Sequence, residues 1–407
     1  MSGRQIVVVG AGMAAARLTA QLLARDPDAA VTLFGDEPHV PYNRALLADV
    51  LTGRYAADAI GLPAASAQVR TGSEVVAVDT AARTLELADG SIAAYDTLVF
   101  ATGSNPVLPP IRNLHCTSNT GEGGRLKQGV HAFRTLADCA RLAEAVPGAR
   151  RAVVVGGGIL GVSAARALAA LGLPVEIVHQ APYLMERHLD EQGGAALHRA
   201  LADLGVAVYP ENRAKSLVGT DRTEGVELAN GYRLDADLVV LACGVRPRVG
   251  LARAAGLEVR TGIVVDDTLA TSAPDVYAIG DCTEHRGRVH GLAGPAWEQA
   301  DVLAAHLCGA PAEYPGSRVF ARLTAGPVEI AAFGDVAPVD GDGHDVIRLA
   351  DPTRGTYKKL VLRGDRLVGG ILVGDLATVG ALTHAYERDE VVPEDPLHLL
   401  ISRGAPQ

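Results

Sequence analysis

Cysteine is sparse in this 407-residue chain: five residues, Cys116, Cys139, Cys243, Cys282 and Cys308. None stands in a CxxC pair or at metal-ligand spacing, and an odd, scattered set makes a poor disulfide framework, so reduced thiols and no metal site are expected. No cysteine precedes Cys116. Basic charge is also short, with 37 Lys+Arg against 47 Asp+Glu for a net of −10. An acidic chain lacks the electrostatic footprint that holds a phosphate backbone, which argues against nucleic acid as a partner. No apolar run approaches the roughly 18 residues that span a bilayer, and the opening "RQIVVVGAGMAAARL" has a strand–glycine–helix order foreign to a secretory leader. A soluble, cytoplasmic protein with no membrane partner is expected. The length exceeds one ordinary core, so two or three domains are anticipated.

What is abundant is repetition. "IVVVGAGMAAARLTAQLLARDPDAAVTLF" (6–34) and "AVVVGGGILGVSAARALAALGLPVEIVH" (152–179) share one layout: apolar β-formers, a glycine turn, an amphipathic helix and a second β-run. Each reads as a βαβ unit with a dinucleotide fingerprint. Gly156, Gly158 and Gly161 complete GxGxxG in the second copy; in the first, Gly10 and Gly12 are followed by Ala15 in the third place, a substitution the fingerprint tolerates. The first glycine permits the tight turn, the second lets backbone approach a pyrophosphate, and the third lets helix pack on strand. The helix starts, Met13 and Ala14 in one copy and Ile159 and Leu160 in the other, aim free N–H groups at the anion. Two dinucleotide sites in one chain suggest one tightly held cofactor and one exchanging one, a flavin with a nicotinamide.

Further segments bring a resemblance. "YDTLVFATGSNPVLPP" (95–110), "LACGVRPRVGLARAAGLEV" (241–259) and "TSAPDVYAIGDC" (271–282), in that order with the two fingerprints, resemble the two-dinucleotide-binding flavoprotein reductases of the glutathione-reductase-like superfamily. "DEPHVPYNRALL" (36–47), "APYLMERHLDEQGG" (181–194), "GPAWEQADVLAAHL" (294–307) and "TYKKLVLRGDRLVGGILVGD" (356–375) narrow it to ferredoxin and rubredoxin reductases and the N-terminal flavin unit of assimilatory nitrite reductases and nitrate-assimilation electron-transfer subunits. The resemblance implies an α/β fold: two Rossmann-like domains, for FAD and NAD, plus a small C-terminal α+β domain. The FAD domain would be discontinuous (1–114 and 246–315), the NAD(P) domain 115–245, and the third domain 316–407, covering the flavin or forming a homodimer interface. The polar, glycine-rich "CTSNTGEGGRLKQG" (116–129) reads as a surface linker.

The resemblance also assigns roles. Ala101, Thr102 and Gly103 return the chain to the FAD domain, Gly280 and Asp281 meet the ribityl chain, Val75 touches adenine, Arg44 lies near flavin and pyrophosphate, and Gly244 lies on the nicotinamide side. Asp36 or Glu37 would bond the adenosine ribose. Trp297, the only tryptophan, falls either beside the flavin ring or in a domain interface. His179 and Gln180 stand where an acid selects NADH or an arginine greets a 2′-phosphate, leaving NADH or NADPH open, with NADH favoured because no basic cluster follows. Ser163 falls where many such relatives carry a glutamate, near the nicotinamide. Hydride transfer belongs to the cofactors, so no catalytic side chain is required. With no early cysteine for a thiolate relay, the implied activity is an FAD-dependent NAD(P)H reductase passing electrons to an acceptor protein, ferredoxin-like or a nitrite/nitrate reductase component. An NADH oxidase or peroxidase, or an apoptosis-inducing-factor-like binding flavoprotein, are the alternatives. Lys358, Lys359, Arg363 and Arg366 suggest either a dock for an acidic partner or a solvated mixed-charge surface.

Overall fold

The computed structural model describes residues 4–64, 66–116, 125–326, 328–338, 342–393 and 395–401. Most of the 116–129 stretch read as a linker therefore lies outside the described residues. The chain divides into two compact units, one of residues 1–46, 55–105 and 245–319, the other of residues 47–54, 106–244 and 320–407.

The first unit is built on a five-stranded parallel sheet, ordered 276–278, 97–100, 5–9, 30–34, 68–70. Its central strands are largely apolar because both faces are covered; Val8, Leu33, Leu98, Val99 and Phe100 are fully buried. Helix Met13–Arg25 crosses between the first two strands and buries Ala14, Ala15, Ala16, Leu18 and Leu22. Its small residues let helix Ala293–Leu307 pack beside it, and the fork of Arg17 grips Asp301 at 2.6 and 2.8 Å. A three-stranded antiparallel sheet (75–79, 84–87, 92–94) completes this unit's main framework.

The second unit repeats the plan. Its parallel sheet runs 206–209, 175–178, 152–155, 238–241, 130–132, with Val153, Val154, Ile177, Val239 and Val240 fully buried. Helix Ile159–Ala170 makes the crossover. Helix Leu47–Leu51 belongs here too: Asp49 on it faces Arg166 on the crossover helix at 3.5 Å, both side chains below 10% exposure. This unit also holds a three-stranded antiparallel sheet (214–218, 225–228, 233–235) and a five-stranded antiparallel sheet, ordered 320–325, 328–334, 366–373, 356–363, 344–351, with helix Val379–Glu387 packed on the latter.

This last sheet corrects one expectation. Lys358 and Lys359 neither dock a partner nor lie on a solvated surface, being only 5% and 3% exposed. Lys358 bonds Asp375 at 2.7 Å and the carbonyl of Leu400 at 2.9 Å. Lys359 bonds Asp190 at 2.9 Å and the carbonyl of Val336 at 2.7 Å. Adjacent strand residues point to opposite faces, yet both faces are covered here, so each ammonium had to find a buried partner. Among the described residues no helix is long and apolar enough to cross a membrane.

Candidate functional site

Each parallel sheet presents a glycine loop at the carboxyl end of its central strand, and the two loops match closely. Gly10 has φ +110°, and a Cβ there would fall 2.2 Å from the carbonyl oxygen of Ala101. Gly156 has φ +110°, and its Cβ would fall 2.3 Å from the carbonyl oxygen of Ala242. The N–H of Gly10 donates to Phe34 at 2.7 Å and that of Ala101 to Val9 at 2.8 Å; Gly156 to Val178 and Ala242 to Val155, both 2.8 Å, repeat the pattern. Both first glycines are thus dictated by backbone geometry alone.

The second glycines are different. Among the described residues nothing lies within 4 Å of a Cβ built on Gly12 or on Gly158. Each occupies the N-cap of its helix in extended backbone, with no side chain capping it and no acid in the first turn. Among the described residues no atom excludes a side chain there, and the leading N–H groups, at Met13 and Ala14 or at Ile159 and Leu160, have no side-chain cap. Open space before an uncapped, partially positive helix end fits a pyrophosphate. At the third position a Cβ on Gly161 would meet the carbonyl oxygen of Gly156 at 1.9 Å, whereas the first copy seats a fully buried Ala15.

The repeat extends further than the two fingerprints. Ala242, Cys243 and Gly244 hold the places that Ala101, Thr102 and Gly103 hold in the first copy, and Gly103 and Gly244 both have positive φ. The signal was legible in "DTLVFATG" against "ADLVVLACG", where both stretches end an apolar strand. Ala242 was the residue missed.

Around the first loop the fold gathers several expected residues. Gly280 lies against Ala14, where a Cβ would sit 3.1 Å from that methyl, and its N–H donates to the buried Gln299 at 2.7 Å. Asp281 accepts from Ser104 at 2.9 Å. Thr102 donates to the carbonyl of Arg248 at 2.7 Å, and the guanidinium of Arg248 grips Asp36 at 2.8 Å. Burial pushes the Asp36 carboxyl up, but Arg248 outweighs it and holds the group below the usual carboxylate range. Glu37 accepts from Tyr42 at 2.7 Å and from Arg44, whose guanidinium also lies 5.0 Å over the Tyr42 ring. Arg44 is therefore a half-buried, paired cation and not a solvated one. Val75 opens the small sheet, half-buried. Trp297, on the helix that carries Gln299, is 39% exposed. Arg248 and Gln299 carried no pattern of their own in sequence; only the chain's return to this loop reveals them.

At the second loop His179 is 7% exposed and tucked beneath Gly157. Its Nδ1 accepts from the Gly157 N–H at 3.1 Å, and its Nε2 lies 3.0 Å from Glu186. Ser163 is buried in the crossover helix. The thiols nearest the two loops are poor nucleophiles. Burial raises the Cys243 thiol to about 11 and pushes Cys282 up as well, while Cys139 also rises to about 11 by burial.

Two such cradles in one chain define the class, an oxidoreductase using FAD with NAD(P)H. The chain belongs to the pyridine nucleotide-disulphide oxidoreductase family, whose model matches residues 4–300, and residues 320–389 match the rubredoxin NAD+ reductase C-terminal domain. It is 38% identical to a nitrite reductase [NAD(P)H] of Bacillus subtilis over 97% of this chain and 48% of the relative. It is 32% identical to the ferredoxin–NAD(+) reductase component of an anthranilate 1,2-dioxygenase system of Burkholderia cepacia, over 94% of this chain and 93% of that one. A solved ferredoxin reductase of Rhodopseudomonas palustris superposes with a TM-score of 0.83 at 27% identity, covering 96% of both chains. The chain spans about half the length of the nitrite reductase it matches.

Proposed function

We propose that this chain takes a hydride from NAD(P)H onto FAD and delivers the electrons to a separate redox protein, a ferredoxin-like protein or a nitrite/nitrate reductase component. Two open, uncapped glycine cradles beside thiols held protonated by burial carry the reading. A disulphide or peroxide substrate needs a thiolate next to the flavin, and the nearest thiols resist ionisation. The relatives named as ferredoxin–NAD(+) reductase component and nitrite reductase support the acceptor class.

In this reading residues 1–114 and 246–315 bind FAD, 115–245 bind the nicotinamide nucleotide, and 316–407 supply an interface, including a homodimer contact. Bound flavin would accept the hydride's two electrons and release them singly to a one-electron acceptor. The chain's part is to bind and orient. Gly10, Gly12 and the N–H groups at Met13 and Ala14 hold the FAD pyrophosphate, and Asp36 or Glu37 the adenosine ribose. Gly280 and Asp281 meet the ribityl chain, Ala101 to Gly103 close the site, Val75 lies at adenine, and Arg44 and Trp297 lie at the flavin. Gly156, Gly158, Ile159, Leu160, Gly161, His179 and Gly244 hold the exchanging nucleotide. A cytoplasmic setting goes with this role, and the five free thiols suit a reducing compartment.

Stopped-flow mixing of the purified yellow protein with NADH and with NADPH, then with ferredoxin, tests it. Rapid bleaching of the flavin followed by fast reoxidation on adding ferredoxin is expected. Purification without flavin, or a reduced flavin that only oxygen reoxidises, refutes it.

A further inference from the structure

In this fold the end of the second strand selects the nucleotide: a carboxylate there bonds the adenosine ribose, and a basic group greets a 2′-phosphate. His179 occupies that place after strand Val175–Val178, but both of its ring nitrogens are engaged. Because Nδ1 accepts from the Gly157 N–H, the ring proton sits on Nε2, which donates to Oε2 of Glu186 at 3.0 Å. Glu186 lies seven residues further on, in a segment folded back against the glycine loop. The neighbouring Met185 N–H donates to the Gly157 carbonyl at 2.9 Å, and Leu184 fills the space a Cβ on Gly157 would take. Glu186 is thereby anchored from two sides while staying 32% exposed, and among the described residues nothing donates to its Oε1.

We infer that Glu186, held by His179, is the specificity-determining carboxylate of the nicotinamide site: Oε1 accepts from the ribose hydroxyls of NADH, and its charge rejects the 2′-phosphate of NADPH. The inference rests on reading Gly156–Gly161 as the NAD(P) loop. Of the flanking groups, Arg187 is exposed, and burial pushes the half-buried His188 toward its neutral form. Like charges brought together in a docked site cost several kcal/mol. NADP+ should therefore bind at least about tenfold more weakly than NAD+.

Calorimetric titration of the FAD-loaded full chain with NAD+ and with NADP+ tests this in wild type, Glu186→Gln and Glu186→Ala. Glu186→Gln keeps the size and the acceptor for His179 while removing the charge; flavin retention reports folding. In both variants the NADP+/NAD+ ratio of Kd values should fall to about threefold or less. Equal wild-type affinity for the two nucleotides, or variants that keep the wild-type ratio, overturns the role of Glu186 alone. Binding of neither nucleotide by wild type overturns the loop reading and this inference with it.

Discussion

Gly10 and Gly12 stand two residues apart, yet alanine should do opposite things at them. At Gly10 an added methyl meets the Ala101 carbonyl at 2.2 Å, and the backbone sits at φ +110°. Holding an L-residue in such a conformation costs about 1–3 kcal/mol before any clash. The clash adds to this because the obstructing atom is backbone, tied into the sheet by the 2.8 Å bond from Ala101 N–H to Val9. A total of about 3–5 kcal/mol is expected for Gly10→Ala, a large share of the about 5–15 kcal/mol by which domains are stable. At Gly12 the same methyl meets nothing within 4 Å among the described residues. Its cost to the apoprotein should stay near about 0.5 kcal/mol, the size of the Gly-to-Ala difference at an N-cap. Its methyl instead enters the space assigned to the pyrophosphate, so FAD affinity should fall at least about tenfold. Urea unfolding of the flavin-free proteins and fluorimetric titration with FAD separate the two effects. A Gly12→Ala protein that is as unstable as Gly10→Ala, or that binds FAD with wild-type affinity, would sink the claim that this glycine is kept for a ligand.

Asp49→Ala should destabilise by about 3–5 kcal/mol because it strands the buried Arg166 guanidinium, and adding Arg166→Met should recover much of the loss in urea unfolding. Asp190 caps helix Glu191–Ala202 through the Gly193 N–H and accepts from Tyr357 and Lys359. Burial pushes its carboxyl up, but the Lys359 ammonium and the other donors outweigh that and hold it below its ordinary 3.8. Since the folded value is the lower one, its contribution is complete above pH 3.8 and is lost as pH falls through the folded value. Asp190→Asn should therefore flatten the acid limb of a stability–pH curve below that pH. Treatment of the folded holoprotein with iodoacetamide should label the exposed Cys308 well before the buried Cys139 and Cys282, and should leave NADH-to-ferredoxin turnover intact. Loss of turnover in step with Cys282 labelling would restore a thiol to the mechanism.

The parts legible in sequence are those whose physics is local. A parallel strand buried on both faces reads as an unbroken apolar run, and the glycine turn that follows is demanded by a positive φ; both leave their mark within a dozen residues. The hairpin of strands 356–363 and 366–373 was equally visible, with Gly364 and Asp365 turning between apolar stretches. The polarity of Lys358 and Lys359 misled because long cations read as surface residues, and only the far-off Asp190, Asp375 and backbone carbonyls account for their burial. Likewise the acid expected at the end of the second βαβ unit is absent from its usual place, and the histidine there gave no hint of the carboxylate it holds.

Sequence by itself determined that there are two dinucleotide cradles, where each begins, and that no early thiol accompanies them, since these depend on single residues and short spacings. Tertiary structure decided which distant groups complete each cradle. Arg248 reaches Asp36, Gln299 holds Gly280, and Glu186 meets His179 only once the chain has folded back on itself. The physical reason is that a backbone turn is set by its own torsions, whereas a side chain's partner is set by whichever segment packing brings within hydrogen-bond reach.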